Sequence, residues 1–153
     1  MKKILLRAAA LLLALVLAGC GTASPAETVP TEADKTDDNY RVFYEIFVGS
    51  FADSDGDGTG DLNGILRHLD YLNDGNLLSD TSLGVQGLWL TPIFASPSYH
   101  KYDATDYYRI DSDFGTEDDL RALLDACHAR NVKVILDLVI NHTARNHEWF
   151  QSF

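Results

Sequence analysis

Beyond residue 40 the chain carries three short, nearly continuous apolar runs: 42–48 (VFYEIFV), 85–91 (VQGLWLT) and 132–140 (VKVILDLVI). Runs of this length and character predict strands buried on both faces. Between them the apolar positions fall at helical spacing. Leu62, Ile65, Leu66, Leu69 and Leu72 predict a helix over 62–74, and Leu120, Leu123, Leu124 and Cys127 share one face of a second helix. Thr116 opens that second helix with Asp119 three residues on, the spacing of a capping box, and Glu117 and Asp118 place negative charge in its first turn. His128, Arg130 and Asn131 mark its end.

The order β-α-β-α-β predicts an α/β fold in which a parallel sheet is covered by helices. Alternation alone does not separate a doubly wound sheet from a (β/α)₈ barrel. In both, ligands sit at the carboxyl ends of the strands. Here the polar residues gather there, in 49–61, 91–113 and 141–147. The segment after the second strand is longer than an ordinary connection, which favours a functional loop.

The start of the chain follows a different pattern. Lys2, Lys3 and Arg7 precede an uncharged apolar run from Ala8 to Ala18, too short to cross a hydrocarbon core of about 30 Å and of the length of a signal peptide. Leu17-Ala18-Gly19-Cys20 resembles a bacterial lipobox, so residues 1–20 are expected to direct export, with Cys20 lipidated and the protein held on the extracytoplasmic face of the cell membrane. An ordinary signal peptide with an incidental cysteine is the alternative. Residues 21–39 are rich in Ser, Thr, Pro, Ala and acids, the composition of a flexible tether. Cys127 is then without a partner and reads as a small buried apolar residue. A net charge of −11 with scattered basic residues argues against nucleic acid as a partner.

Three clusters carry candidate chemistry. In Asp53-Ser54-Asp55-Gly56-Asp57-Gly58-Thr59-Gly60-Asp61, closely spaced carboxylates alternate with glycines. Such a loop can wrap several oxygens around one hard cation, as calcium requires. Asp53, Asp55, Asp57, Asp61 and the Thr59 carbonyl are the expected ligands, although Gly64 stands where an EF-hand has its bidentate Glu. An acidic surface turn is the alternative, disfavoured by repulsion among the carboxylates. Residues 96–108, SPSYHKYDATDYY, interleave aromatics with acids and a histidine. That suits either a sugar, with its apolar faces and its hydroxyls, or a structural loop pinned by tyrosine hydroxyls. Asp137-Leu138-Val139-Ile140-Asn141-His142 closes the third strand, where a histidine serves structure or, from its place at the carboxyl end, a ligand.

Taken together these motifs resemble the α-amylase family (glycoside hydrolase family 13), the (β/α)₈ barrel enzymes that act on α-glucans. Tyr44-Glu45-Ile46-Phe47 with the acidic loop and Gly60-Asp61-Leu62-Asn63-Gly64 resembles the family's first strand and calcium loop. Gly87-Leu88-Trp89-Leu90-Thr91-Pro92-Ile93 resembles its second strand, Tyr102-Asp103 with Asp106-Tyr107 the loop that follows, and Asp137 to His142 its first hallmark region. The resemblance implies that Tyr102 stacks on the sugar next to the scissile bond, that His100 and His142 hydrogen-bond its hydroxyls with Asp103 in the same substrate site, and that Asp137 orients the end of strand three. It also implies a calcium role for Asn141. Two departures stand out: Lys101, where many members have glycine, and Tyr99, where exo-acting members carry an aspartate.

A retaining glycosidase needs a nucleophile and an acid about 5–5.5 Å apart; in this family those two and a third aspartate follow strands four, five and seven. Residues 40–153 are therefore expected to be the first three βα units of catalytic domain A, ending before domain B and before those carboxylates. The expected parent activity is endo-hydrolysis of α-1,4 bonds in starch-like glucans or maltooligosaccharides. The alternatives are an α-glucosidase, oligo-1,6-glucosidase or cyclomaltodextrinase of the same family, or a non-catalytic glucan-binding lipoprotein. Residues 21–153 alone are expected to be inactive, because the acids are missing, and insoluble or molten, because an open parallel edge is an aggregation template.

Export can be tested directly. Cells making the protein should hold it in the membrane fraction with acylated Cys20, and Cys20→Ser should leave it uncleaved or soluble. Lipid-free wild-type protein in the medium would contradict the lipobox reading.

Overall fold

In a computed structural model of the protein, which describes residues 41–153, the chain runs through β1 (Phe43–Ile46), α1 (Val48–Phe51), α2 (Leu62–Arg67), α3 (Leu69–Leu72), β2 (Gly87–Leu90), β3 (Phe94–Ala95), β4 (Asp106–Ile110), α4 (Glu117–Ala129), β5 (Lys133–Leu136) and α5 (Glu148–Gln151). The leader, Cys20 and the tether lie outside the described residues. β1, β2 and β5 form one sheet in that order, all parallel, in a register that sets Ile46 beside Leu90 and Leu90 beside Leu136. The three predicted strands are thus real but shorter than their apolar runs.

Each strand ends early for a visible reason. After Ile46 the backbone coils into α1, which carries the chain back over the acidic loop. Residues beyond Asp137 leave the ladder, and the carbonyls of Val139 and His142 turn instead to the hydroxyl of Tyr107 at 2.6 and 2.9 Å. The helix predicted over 62–74 is interrupted at His68. Its ring Nδ1 donates to the Gly64 carbonyl at 2.9 Å, the acceptor that its own amide would use in a continuous helix, and that amide bonds the Ile65 and Leu66 carbonyls instead. The break costs the core little, because Leu62, Ile65, Leu69 and Leu72 remain fully buried on one face across it.

α4 is built as its spacing predicts. Thr116 accepts from the Asp119 amide, and Asp119 accepts from the Thr116 amide at 2.8 Å. The second oxygen of Asp119 takes the Asn63 side-chain amide at 2.8 Å, so one carboxylate caps α4 and ties it to α2. Leu123 and Cys127 enter the core with Leu88, Leu90 and Ile93. Burial pushes the Cys127 thiol up to about 11, which keeps it protonated and apolar at neutral pH. A feature that the apolar pattern did not predict is the antiparallel pair β3–β4 inside the long loop after β2.

The acidic loop lies against α1 through close backbone contact. The Gly60 amide donates to the Gly49 carbonyl at 2.8 Å and the Asp61 amide to the Ala52 carbonyl at 3.0 Å. A Cβ on Gly60 would fall 2.2 Å from the Val48 oxygen, and one on Gly64 would fall 1.9 Å from the Ala52 oxygen. Gly64→Ala should therefore force backbone displacement and cost about 1–3 kcal/mol. The urea midpoint of the full-length protein that carries this chain measures it, and an unchanged midpoint would show that the crossing relaxes freely.

Candidate functional site

Asp61, buried, is the hinge of the acidic loop. One oxygen caps α2 by accepting the Gly64 amide at 2.7 Å, and the other accepts the Ser54 amide at 2.8 Å. Asp53 gathers the amides of Gly56 and Gly58 at 2.6 and 2.8 Å, and these bonds hold its carboxyl below the usual range. With Asp55 they form a group whose ligand oxygens lie within 4.8 Å of one another. Carboxylates this close repel one another. The backbone N–H groups offset part of that, and their bonds leave lone pairs free for a hard cation. Asp57 stands outside this group of three, its Oδ1 taken by the Thr59 amide at 2.7 Å.

The loop after β2 spreads its side chains in three directions. Tyr99 and His100 pack on Phe47, just beyond β1, with ring centroids 5.0 and 5.2 Å away. Tyr102 reaches the other side of the sheet, where its hydroxyl donates to Asp137 at 2.7 Å, just beyond β5. The hydrogen bond to Asp137 is the main cause that raises the phenol to about 12, with burial and the negative charges of Asp137 and Glu45 adding to it. This bond favours the folded state below the ordinary phenol value near 10, and the gain is lost as pH rises through about 12. The ring itself stays 42% exposed, free to receive a ligand. Lys101, between these residues, turns away from them and is buried.

Asp103 is engaged by its own loop. The hydroxyls of Ser96 and Ser98 both donate to its Oδ1, the former at 2.7 Å. Burial pushes its carboxyl up, but the Ser98 and Ser96 bonds and the nearby His142 outweigh that and hold it below the usual range. Asp103 and His142 are thus within electrostatic reach of each other. His142 and Asn141 line an open, largely apolar cavity of about 630 Å³ together with Tyr107 and Trp149. Tyr107 stacks on Trp149, 5.7 Å between centroids, and its hydroxyl grips the backbone on either side of Asn141. Both readings of the 96–108 segment therefore have a basis in the structure: Tyr107 pins the loop, while Tyr102 presents an open aromatic face beside a carboxylate. The pinning by Tyr107, the nearness of Glu45 to Tyr102 and the burial of Lys101 have no periodic signature. Asp111 and Asp113, ten and twelve positions after Lys101, are two of four acids in the mixed segment 103–113 and did not single it out.

Residues 45–153 match the catalytic-domain profile of the α-amylase family ("Alpha amylase, catalytic domain").

The chain belongs to the α-amylase family.

Alpha-amylase 3 of Dictyoglomus thermophilum is 52% identical over 111 residues, which are 72% of this chain and 21% of that protein. The trehalose synthase/amylase TreS of Mycolicibacterium smegmatis is 45% identical over 128 residues, 83% of this chain and 20% of that one. Among solved structures, the α-amylase from H. orenii superposes with a TM-score of 0.71 at 60% identity, over 72% of this chain and 22% of that chain. The chain spans about a fifth of the length of the curated relatives it matches. Its ladder β1-β2-β5, with the helices between, is the first three βα units of the family's (β/α)₈ barrel. The Tyr102–Asp137 bond, Asp103, His142 and the acidic group all lie in segments that leave the carboxyl ends of these strands, the end where barrel enzymes place their sites.

Proposed function

We propose that the full-length protein carrying this chain is a retaining endo-hydrolase of α-1,4-glucosidic bonds in starch-like glucans. The observation that carries the reading is Tyr102, an exposed residue held by Asp137 at the carboxyl end of the sheet, with Asp103 within electrostatic reach of His142. An aromatic face stacks on a glucosyl ring, and His142 and His100 satisfy its hydroxyls. These residues bind and orient the sugar; the acid and the nucleophile belong, by family resemblance, to later strands. Tyr99, 66% exposed, puts a neutral ring where exo-acting members have an aspartate, so no charge there blocks a passing glucan chain. The relatives carry more than one printed activity, α-amylase and trehalose synthase among them, which makes product analysis the deciding measurement.

The same reading assigns a calcium ion to Asp53, Asp55 and Asp61, with Asp57 and the Thr59 carbonyl completing the set, and Asn141 to a second site beyond β5. Bound calcium would supply charge neutralisation and crosslink the loop to α2. Export with a lipid on Cys20 would bring the enzyme to polysaccharide outside the cell.

Acting on soluble starch, the full-length protein should release mixed maltooligosaccharides in the α-configuration. His142→Ala should lower kcat/KM by about tenfold, the equivalent of about 1.4 kcal/mol of transition-state hydrogen bonding. Glucose as sole product would favour the α-glucosidase reading, and starch binding without hydrolysis the non-catalytic one. Chelation should lower the melting temperature, because an ion bound to the folded state stabilises it by mass action. Asp55→Ala should remove that sensitivity. Identical melting curves with and without chelator would eliminate the calcium assignment.

A further inference from the structure

Lys101 has a backbone φ of 64°, a left-handed conformation that its Cβ disfavours and that only one other non-glycine residue, Asn131, adopts among the described residues. Its side chain is nevertheless driven inward. The ammonium lies 3.0 Å from Asp111, which is itself buried, and 3.1 Å from Asp113, over the Phe114 ring at 5.3 Å and 3.5 Å from the Ser96 carbonyl. Asp111 in turn accepts the amides of Ser96 and Asp113 at 3.0 and 3.1 Å. One buried ion pair therefore ties three points together: the start of the long loop at Ser96, its turn at Lys101 and the segment after β4.

Glycine would take this φ without strain. A lysine is disfavoured by backbone and by burial alike, so its retention in this fold needs an interaction that glycine cannot make. The ion pair is that interaction, and its consequence is directional. With residue 101 held inward, the residues on either side are turned outward, His100 onto Phe47 and Tyr102 onto Asp137. We infer that Lys101 is a positioning residue: its buried pairing with Asp111 and Asp113 fixes the turn that presents His100 and Tyr102 to the sugar. This rests on the function proposed above for those two residues.

Two readouts test it in the full-length protein. The first is kcat/KM for a maltooligosaccharide, measured per folded molecule well below the melting temperature. Lys101→Met should lower it about ten- to a hundredfold, as expected when binding groups are misplaced by about 1 Å, and Lys101→Arg should restore most of it by returning the cation. The second needs no substrate. The Tyr102 phenol, isolated by subtracting the absorbance titration of Tyr102→Phe, should titrate near 12 in the wild type and move back toward 10 in Lys101→Met. A fall in melting temperature with both readouts unchanged would show that Lys101 serves stability alone and overturn the inference. Should Lys101→Met not fold, Asp113→Asn decides by the same two readouts, each moving the same way by a smaller amount, since Asp113 is half exposed and its loss removes one of the two anions that hold the ammonium. A wild type that hydrolyses no α-glucoside would sink the functional reading, and the phenol titration would still decide whether Lys101 holds Tyr102.

Discussion

The parallel ladder is the constraint on which everything else depends. Strands that run the same way have their carboxyl ends at one edge, and two backbone bonds carry the register past the strands themselves. The Thr91 amide donates to the Ile46 carbonyl at 3.0 Å, and the Asp137 amide to the Leu90 carbonyl at 2.9 Å. Phe47, Thr91 and Asp137 therefore leave the sheet side by side, although they lie far apart in sequence. The 96–103 loop bridges the two outer members, resting His100 on the first and Tyr102 on the third. Thr91 in the middle keeps a buried hydroxyl that has no hydrogen-bond partner among the described residues.

Two loops at that edge handle charge in opposite ways. The acidic loop is exposed, and its carboxylates are held by amides of their own segment and by tight backbone crossings at Gly60 and Gly64. Its charge stays at the surface, where the cation proposed above would neutralise it. The loop after β2 instead buries its charge. Exposed ion pairs such as Arg121–Glu117 are worth about 0–1 kcal/mol, whereas removing one partner of a buried pair costs about 3–5 kcal/mol. The Lys101–Asp111 contact thus constrains its loop far more than any surface pair can, at a residue flanked by two that are proposed to face the sugar.

The apolar runs and helical spacings made the β-α-β-α-β order, the capping box at Thr116 and the buried Cys127 legible from the chain alone. The motifs at the strand ends made the family legible too. Those signals are local: side-chain period follows the geometry of a helix or strand, and short motifs record which groups must stand close in sequence. What periodicity could not convey is where an element stops. His68 breaks the first long helix because its ring competes with its own amide for one carbonyl, and residues 138–140 leave their strand because Tyr107, some thirty positions earlier, takes carbonyls there.

The site divides in the same way. Sequence by itself nominated the candidate residues: the acids of the 53–61 loop from their spacing, and His100, Tyr102, Asp103, Asp137 and His142 from the family resemblance. Only the tertiary structure decided their partners, bonding Tyr102 to Asp137, seating His142 near Asp103, gathering Asp53, Asp55 and Asp61 without Asp57, and burying Lys101 between two aspartates. The reason is physical. Residue type fixes what a side chain can donate, accept or neutralise, but which groups meet depends on strand register and on backbone turns such as the left-handed one at Lys101, and those are set by contacts between segments distant in the chain.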